Sequence, residues 1–405
     1  MTEPFVANTP AAASARRVWP VLAVLTAATF LTVTAEMLPS ALLPSMSHDL
    51  GVSEGTIGVL VGAWAVTIAI VGIPLVRLTL SVPRTVLLTV SLAVTAPANL
   101  VTALAPDFAV ALVGRILAAT AHGLFWALVV SYVAAIVTPQ RLGRALSLVL
   151  AGPTLAGLAG LPAAALIAEH TGWRWVFAGL SLMLALTALA LRLILPRSHR
   201  PDTSAGAEPA KAWDRSARGV VFVAAGGGLV LVGHFTAFTY ITALITDLSG
   251  LSAGAIPAIL LVLGVTGSAG VLASGVAADR FPRASLVSAS ALVAVGLTLL
   301  LLGDGCRALF FAGTVVWGFA IGAFPPILQT RVLRLSTPTF RPLAGSIIVT
   351  VLNLGVATGA TLGGIILTRG QPALVLAAVI AASTGTLMLA LSCSGDSHGS
   401  PMGPT

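Results

Sequence analysis

An all-α integral membrane protein, with twelve bilayer-crossing helices in two six-helix halves, is the fold class this sequence predicts. Three observations carry that expectation. Only 8% of the 405 residues are Asp, Glu, Lys or Arg and the mean hydropathy is +1.02, values a soluble domain does not carry. The apolar residues fall into stretches of roughly 19 to 27 residues, each long enough to cross about 30 Å of hydrocarbon at about 1.5 Å per helical residue. Short loops bearing arginine separate the stretches.

In chain order the first stretch is 18–40, entered after Arg16 and Arg17. It is too long for a signal-peptide core, carries Glu36 and lacks a clear small-residue cleavage site, so it reads as a retained crossing helix. Stretches 55–76 and 84–102 follow, with Arg77 and Arg84 at their junction, and 108–132 contains Arg115. Stretch 142–168 starts beside Arg141 and Arg144 and holds a glycine- and proline-rich run, and 173–196 opens on Trp173. The composition then turns polar, rich in Pro, Ser, Ala and charge, which reads as a linker. Beyond it lie 220–245, 253–277, 284–302, 308–333, 343–367 and 372–391. The expected organisation is an N-terminal segment 1–17, a half 18–196, a linker 197–219, a half 220–391 and a small, polar tail 392–405.

Orientation follows from the cations, because Lys and Arg of short loops stay cytoplasmic. With both termini inside, seventeen basic residues face the cytoplasm and three, Arg174, Arg307 and Arg369, face outward. The net charge of +8 is accounted for by this topology and by anionic headgroups, so no nucleic-acid partner is implied. Twenty Arg against one Lys, with abundant Ala, Leu and Val, fit the codon usage of a GC-rich bacterial genome, and the expected location is the bacterial inner membrane. Cys306 and Cys393 provide neither a disulfide framework nor metal-ligand spacing. A weak internal repeat pairs Arg84 and Gly123 with Arg283 and Gly322 at one offset of 199, as expected of transporters with repeated halves.

Glu36 is the one acidic residue within a predicted span, with Thr29 and Thr32 on its face. Near the helix end it can reach interfacial water; a carboxylate kept in the membrane more often faces a cavity. Arg115, His122 and Trp126 recur at i, i+7 and i+11, forming a cationic, titratable and aromatic stripe, although an arginine can equally hold backbone carbonyls. In the second half, His234, Phe238 and Tyr240 cluster, and Ser346, Thr350 and Asn353 share a face. Trp64, Phe125 and Trp317 either stack on a ligand ring or pack. Gly152, Ala156 and Gly160 recur every four residues, the small-residue spacing that lets helices approach, while Pro153 and Pro162 permit bending.

Thr34-Ala35-Glu36-Met37 with Leu42-Leu43-Pro44, Gly114-Arg115-Ile116-Leu117 with His122-Gly123, the run Gly152 to Pro162, and Gly172-Trp173-Arg174-Trp175-Val176-Phe177 together resemble the major facilitator superfamily. The likeness runs over essentially the full length and is strongest to the bacterial drug and sugar efflux branch, with its arabinose-efflux-like, purine nucleoside and chloramphenicol-resistance exporters. That resemblance implies a major facilitator fold and a monomeric, proton-coupled antiporter. It would export a small drug, sugar or nucleoside from the cell, with no cofactor and no catalytic residue, and the proton gradient as its energy source. The residues' own chemistry gives a coupling role to Glu36 and Arg115, a substrate cavity including Trp64, His122, Trp126, His234, Phe238, Tyr240 and Asn353, and a packing motif of Gly152, Pro153, Gly157, Gly160 and Pro162. Arg84, Asp279, Arg280 and Arg283 would act as the cytoplasmic gate. The sequence departs from the family at the first gate loop, 72–84, which lacks the acid that its second copy keeps at Asp279. An importer or facilitator on the same fold is the alternative within transport. A polytopic membrane enzyme fits poorly, because the loops are short and poor in paired carboxylates.

Overall fold

The computed structural model describes residues 15–79, 82–195, 214, 216–337 and 339–394. Most of segment 1–17, most of the linker 197–219 and most of the tail 392–405 therefore lie outside the described residues. Among those that are described there is no strand.

Twelve helices are long and apolar enough to cross a membrane. They are α1 (Val18–Ala41), α2 (Glu54–Gly72), α3 (Arg84–Ala103), α4 (Phe108–Ile136), α5 (Leu142–Thr171) and α6 (Trp173–Ile194), then α7 (Ala217–Phe238), α8 (Ala253–Arg280), α9 (Ala284–Leu302), α10 (Arg307–Leu335), α11 (Leu343–Leu367) and α12 (Gln371–Cys393). Their outer faces carry large apolar side chains in the open, such as Leu272, 80% exposed, and Leu193, 75% exposed. Hydrocarbon, not water, is the solvent that tolerates such a surface.

Packing repeats with a shift of six helices. In the first half α4 packs on α2 and α3, α6 on α3 and α1, and α5 on α1. In the second, α10 packs on α8 and α9, α12 on α9 and α7, and α11 on α7. The most extensive contacts between the halves are α2 with α11 and α5 with α8, and these exchange under the same shift.

Prolines organise the first half by emptying helical acceptors. A proline has no N–H for the carbonyl four residues earlier. Pro153 so frees the Val149 oxygen, which accepts from Thr29 Oγ1 of α1 at 2.7 Å. Ahead of Pro162, the turn Ala156–Gly160 widens into a π-helix. The second half departs from the predicted unbroken 220–245: α7 ends at Phe238, the chain turns at Thr239 and Tyr240, and a short turn Ile241–Ala243 runs into a π-helix Leu244–Leu248. The Tyr240 hydroxyl, donating to the Ala360 carbonyl of α11 at 2.7 Å, holds this turn in place.

Candidate functional site

The site is built where α1, α2 and α4 meet. Pro39 leaves the Ala35 oxygen without a helical donor, and Arg115 of α4 fills that place, donating to Ala35 O at 2.6 Å and to Glu36 O at 2.7 Å. The guanidinium is fully buried and lies 4.0 Å from the Trp64 ring centre, so an aromatic face covers the charge that the carbonyls hold. Arg115 thus grips the peptide of Glu36, leaving the carboxylate to a different partner. That partner is His122, two turns further along the same face of α4, whose Nε2 is 3.6 Å from Glu36 Oε2. Trp64 meets the His122 ring edge-on at 5.1 Å and Trp126 lies 6.1 Å away, which closes the pocket around the pair. The Glu36 side chain keeps 15% of its surface open.

On an adjacent face of α1 lies a cavity of about 260 Å³ between the halves. Val33 and Met37, the neighbours of Glu36 on α1, form part of its wall, with Pro153, Ala156, Gly157 and Leu161 of α5. The second half supplies His234, Phe235 and Phe238 of α7, Leu260, Leu263 and Gly264 of α8, and Ile321 of α10. Apart from His234 the lining side chains are apolar.

The glycines of α5 place these parts. A side chain at Gly152 would collide with Thr29, and one at Gly160 with Thr34, so α5 lies directly against the helix that carries Glu36. Gly157 meets Gly264 of α8, where any side chain on α8 would strike the Gly157 carbonyl. At the other inter-half contact, Gly55 of α2 abuts Gly364 of α11, and Gly58 abuts Tyr240. These close approaches of α2 lie toward the end of the bundle opposite the start of α1.

Of the residues singled out from sequence, the structure brings Glu36, Arg115, His122, Trp64 and Trp126 into one cluster, and places His234 and Phe238 on the cavity. Tyr240 is buried at the α2–α11 contact, and Asn353 donates to Val349 of its own helix at 3.0 Å. Asp279 pairs with Arg334, 2.6 Å away, and Arg334 also donates to Ala278 O. Arg280 lies 5.6 Å from the Phe281 ring centre, while Arg84 and Arg283 stand at the starts of α3 and α9. The Trp173–Arg174 pair secures the opposite end: Trp173 Nε1 donates to Asp49 at 3.0 Å and Arg174 to the Ala103 and Ala105 carbonyls. Sequence reading missed Arg334, Gly264 and the bond that Trp317 makes to His234. Pro39, four residues after Ala35, was the available signal for where Arg115 would bind.

Comparison with known proteins adds the family. The model described as Major Facilitator Superfamily matches residues 25–302. The chain belongs to this superfamily. It is 34% identical over 378 residues to chloramphenicol efflux pumps from two strains of Mycobacterium tuberculosis, covering 91% of this chain and 90% of each pump. A bacterial homologue of the human lysosomal transporter Spinster, inward-facing and unoccupied, superimposes with a TM-score of 0.68 at 16% identity, over 95% of this chain and 96% of that one. A peptide transporter bound to alafosfalin gives 0.73 at 12% identity, over 92% and 94%. At these identities the two structures attest the fold. As a major facilitator the protein is a multi-pass membrane transporter and not an enzyme, with efflux pumps among its relatives.

Proposed function

We propose that this major facilitator is a proton-coupled antiporter that exports a small, uncharged molecule across the bacterial inner membrane, with both termini in the cytoplasm. The observation that carries the reading is the Glu36–His122 pair, held by Arg115 one helix face away from the cavity between the halves. A largely buried carboxylate with a histidine beside it can take up and release a proton as its access to water alternates. The proton moving down 100 mV releases about 2.3 kcal/mol, enough for roughly a fifty-fold substrate gradient. The apolar cavity wall disfavours a charged cargo, since a lone charge there loses its hydration without replacement. Chloramphenicol is the first compound to test, because related pumps carry it in their names.

In everted membrane vesicles with an acidified lumen, the antiporter should accumulate labelled chloramphenicol, and a drug-sensitive host expressing it should grow at higher drug concentrations. Accumulation that is indifferent to the imposed gradient would reject the coupling.

A further inference from the structure

On the α7–α10 side of the cavity, a histidine is locked in one protonation form. Trp317 Nε1–H donates to His234 Nδ1 at 3.1 Å. The indole nitrogen is only a donor, so Nδ1 must offer its lone pair and the neutral ring carries its proton on Nε2. Phe238 stacks on the imidazole at 5.2 Å and 23°, and Phe235 meets it edge-on at 4.7 Å and 76°, which leaves the ring no freedom to turn. Among the described residues none accepts from Nε2. His234 is also the sole side chain with a polar hydrogen among those lining the cavity.

We propose that His234, held by Trp317, is the specificity-determining donor of this cavity, selecting uncharged aromatic molecules that carry a hydrogen-bond acceptor. The inference rests on the cavity being the substrate path. A ring lying along Phe238 with an acceptor at Nε2–H satisfies the donor, whereas one without an acceptor leaves it unpaired against apolar walls. Trp317 is a positioning residue: it touches the histidine and not the cargo. The placement matches the repeat, because the offset of 199 sets Phe235, the neighbour of His234, opposite Glu36. The first half thus carries the Glu36–His122 pair and the second carries His234 on the cavity wall.

The test uses the full chain in lipid nanodiscs and two probes of similar shape, para-fluoroacetophenone, which has an acceptor, and para-fluorocumene, which has none. Binding is read by fluorine NMR against empty nanodiscs. His234→Phe should weaken the ketone about three- to ten-fold and leave the hydrocarbon unchanged, which also shows that the cavity is intact. Trp317→Phe should weaken the ketone alone, and nitrogen NMR of the labelled histidine should change from one tautomer to a mixture. Equal losses for both probes, no loss for either, or no binding of the ketone to the wild type would each overturn the proposal. Gradient-driven export can survive such a failure, and the probe preference can survive a failure of coupling, so the two readings are separable.

Discussion

Arg115 Nη1 lies 2.6 Å from the main-chain oxygen of Ala35, the acceptor that Pro39 leaves empty. A buried arginine is therefore held by a backbone vacancy on the neighbouring helix. Replacing it with Met should lower the unfolding free energy in mixed micelles by about 1–3 kcal/mol, because two buried carbonyls lose their donor. In a Pro39→Ala background the restored N–H at position 39 can serve Ala35, and the cost should fall by about 1 kcal/mol. Identical costs in both backgrounds would show that the proline plays no part.

The Asp279–Arg334 pair behaves differently because it is open to water. The Asp279 side chain is 80% exposed, and an exposed ion pair is worth about 0–1 kcal/mol. Asp279→Asn should thus leave the unfolding midpoint nearly unchanged while slowing turnover, since Arg334 loses one of its two acceptors at the end of α8. Its effect should exceed that of neutralising Arg77 or Arg84 in the acid-free first loop. Turnover equal to wild type would remove Asp279 from the cycle.

Asp214, just ahead of α7, gives a pH dependence outside the membrane. Its carboxylate accepts from Ser216 Oγ at 2.6 Å, from the Thr337 hydroxyl and from Ser216 N at 2.7 Å, and these bonds hold it below the usual aspartate range, Ser216 most strongly. A depressed folded-state value stabilises above the unfolded value of about 4 and loses that contribution as pH falls through the folded value. The gap in thermal midpoint between wild type and Asp214→Asn should hold from about pH 8 to 5 and close below about pH 4. A gap that widens in acid would contradict the sign.

Topology is tested at the loops. Cys306, exposed between α9 and α10, should react with an impermeant thiol reagent in intact cells, and a cysteine introduced at Ser204 in the linker should not. Labelling at position 204 from outside would invert the orientation.

The number and order of helices were legible because hydrocarbon length and loop arginines are local properties of the chain. Glu36, Arg115 and His122 were visible individually, since charge in an apolar run stands out. Their arrangement was not: the sequence left open whether Arg115 met a carboxylate or carbonyls, and the answer depended on Pro39 in a different helix. Tyr240 read as part of an aromatic cavity cluster, yet the turn after Phe238 takes it to Ala360, a contact that only tertiary packing defines. Gly264 carried no sequence signal, because its role comes from the Gly157 backbone opposite.

The central claim, that Glu36 carries the coupling proton, is most directly tested by transport of chloramphenicol in proteoliposomes under an imposed pH gradient, comparing wild type with Glu36→Gln. The Gln side chain keeps the volume and the hydrogen-bonding capacity while removing the titratable charge beside His122. The prediction is accumulation above the external concentration by the wild type, none by Glu36→Gln, and drug exchange without a gradient retained by both. Undiminished gradient-driven accumulation by Glu36→Gln would contradict the account and place the proton on another group.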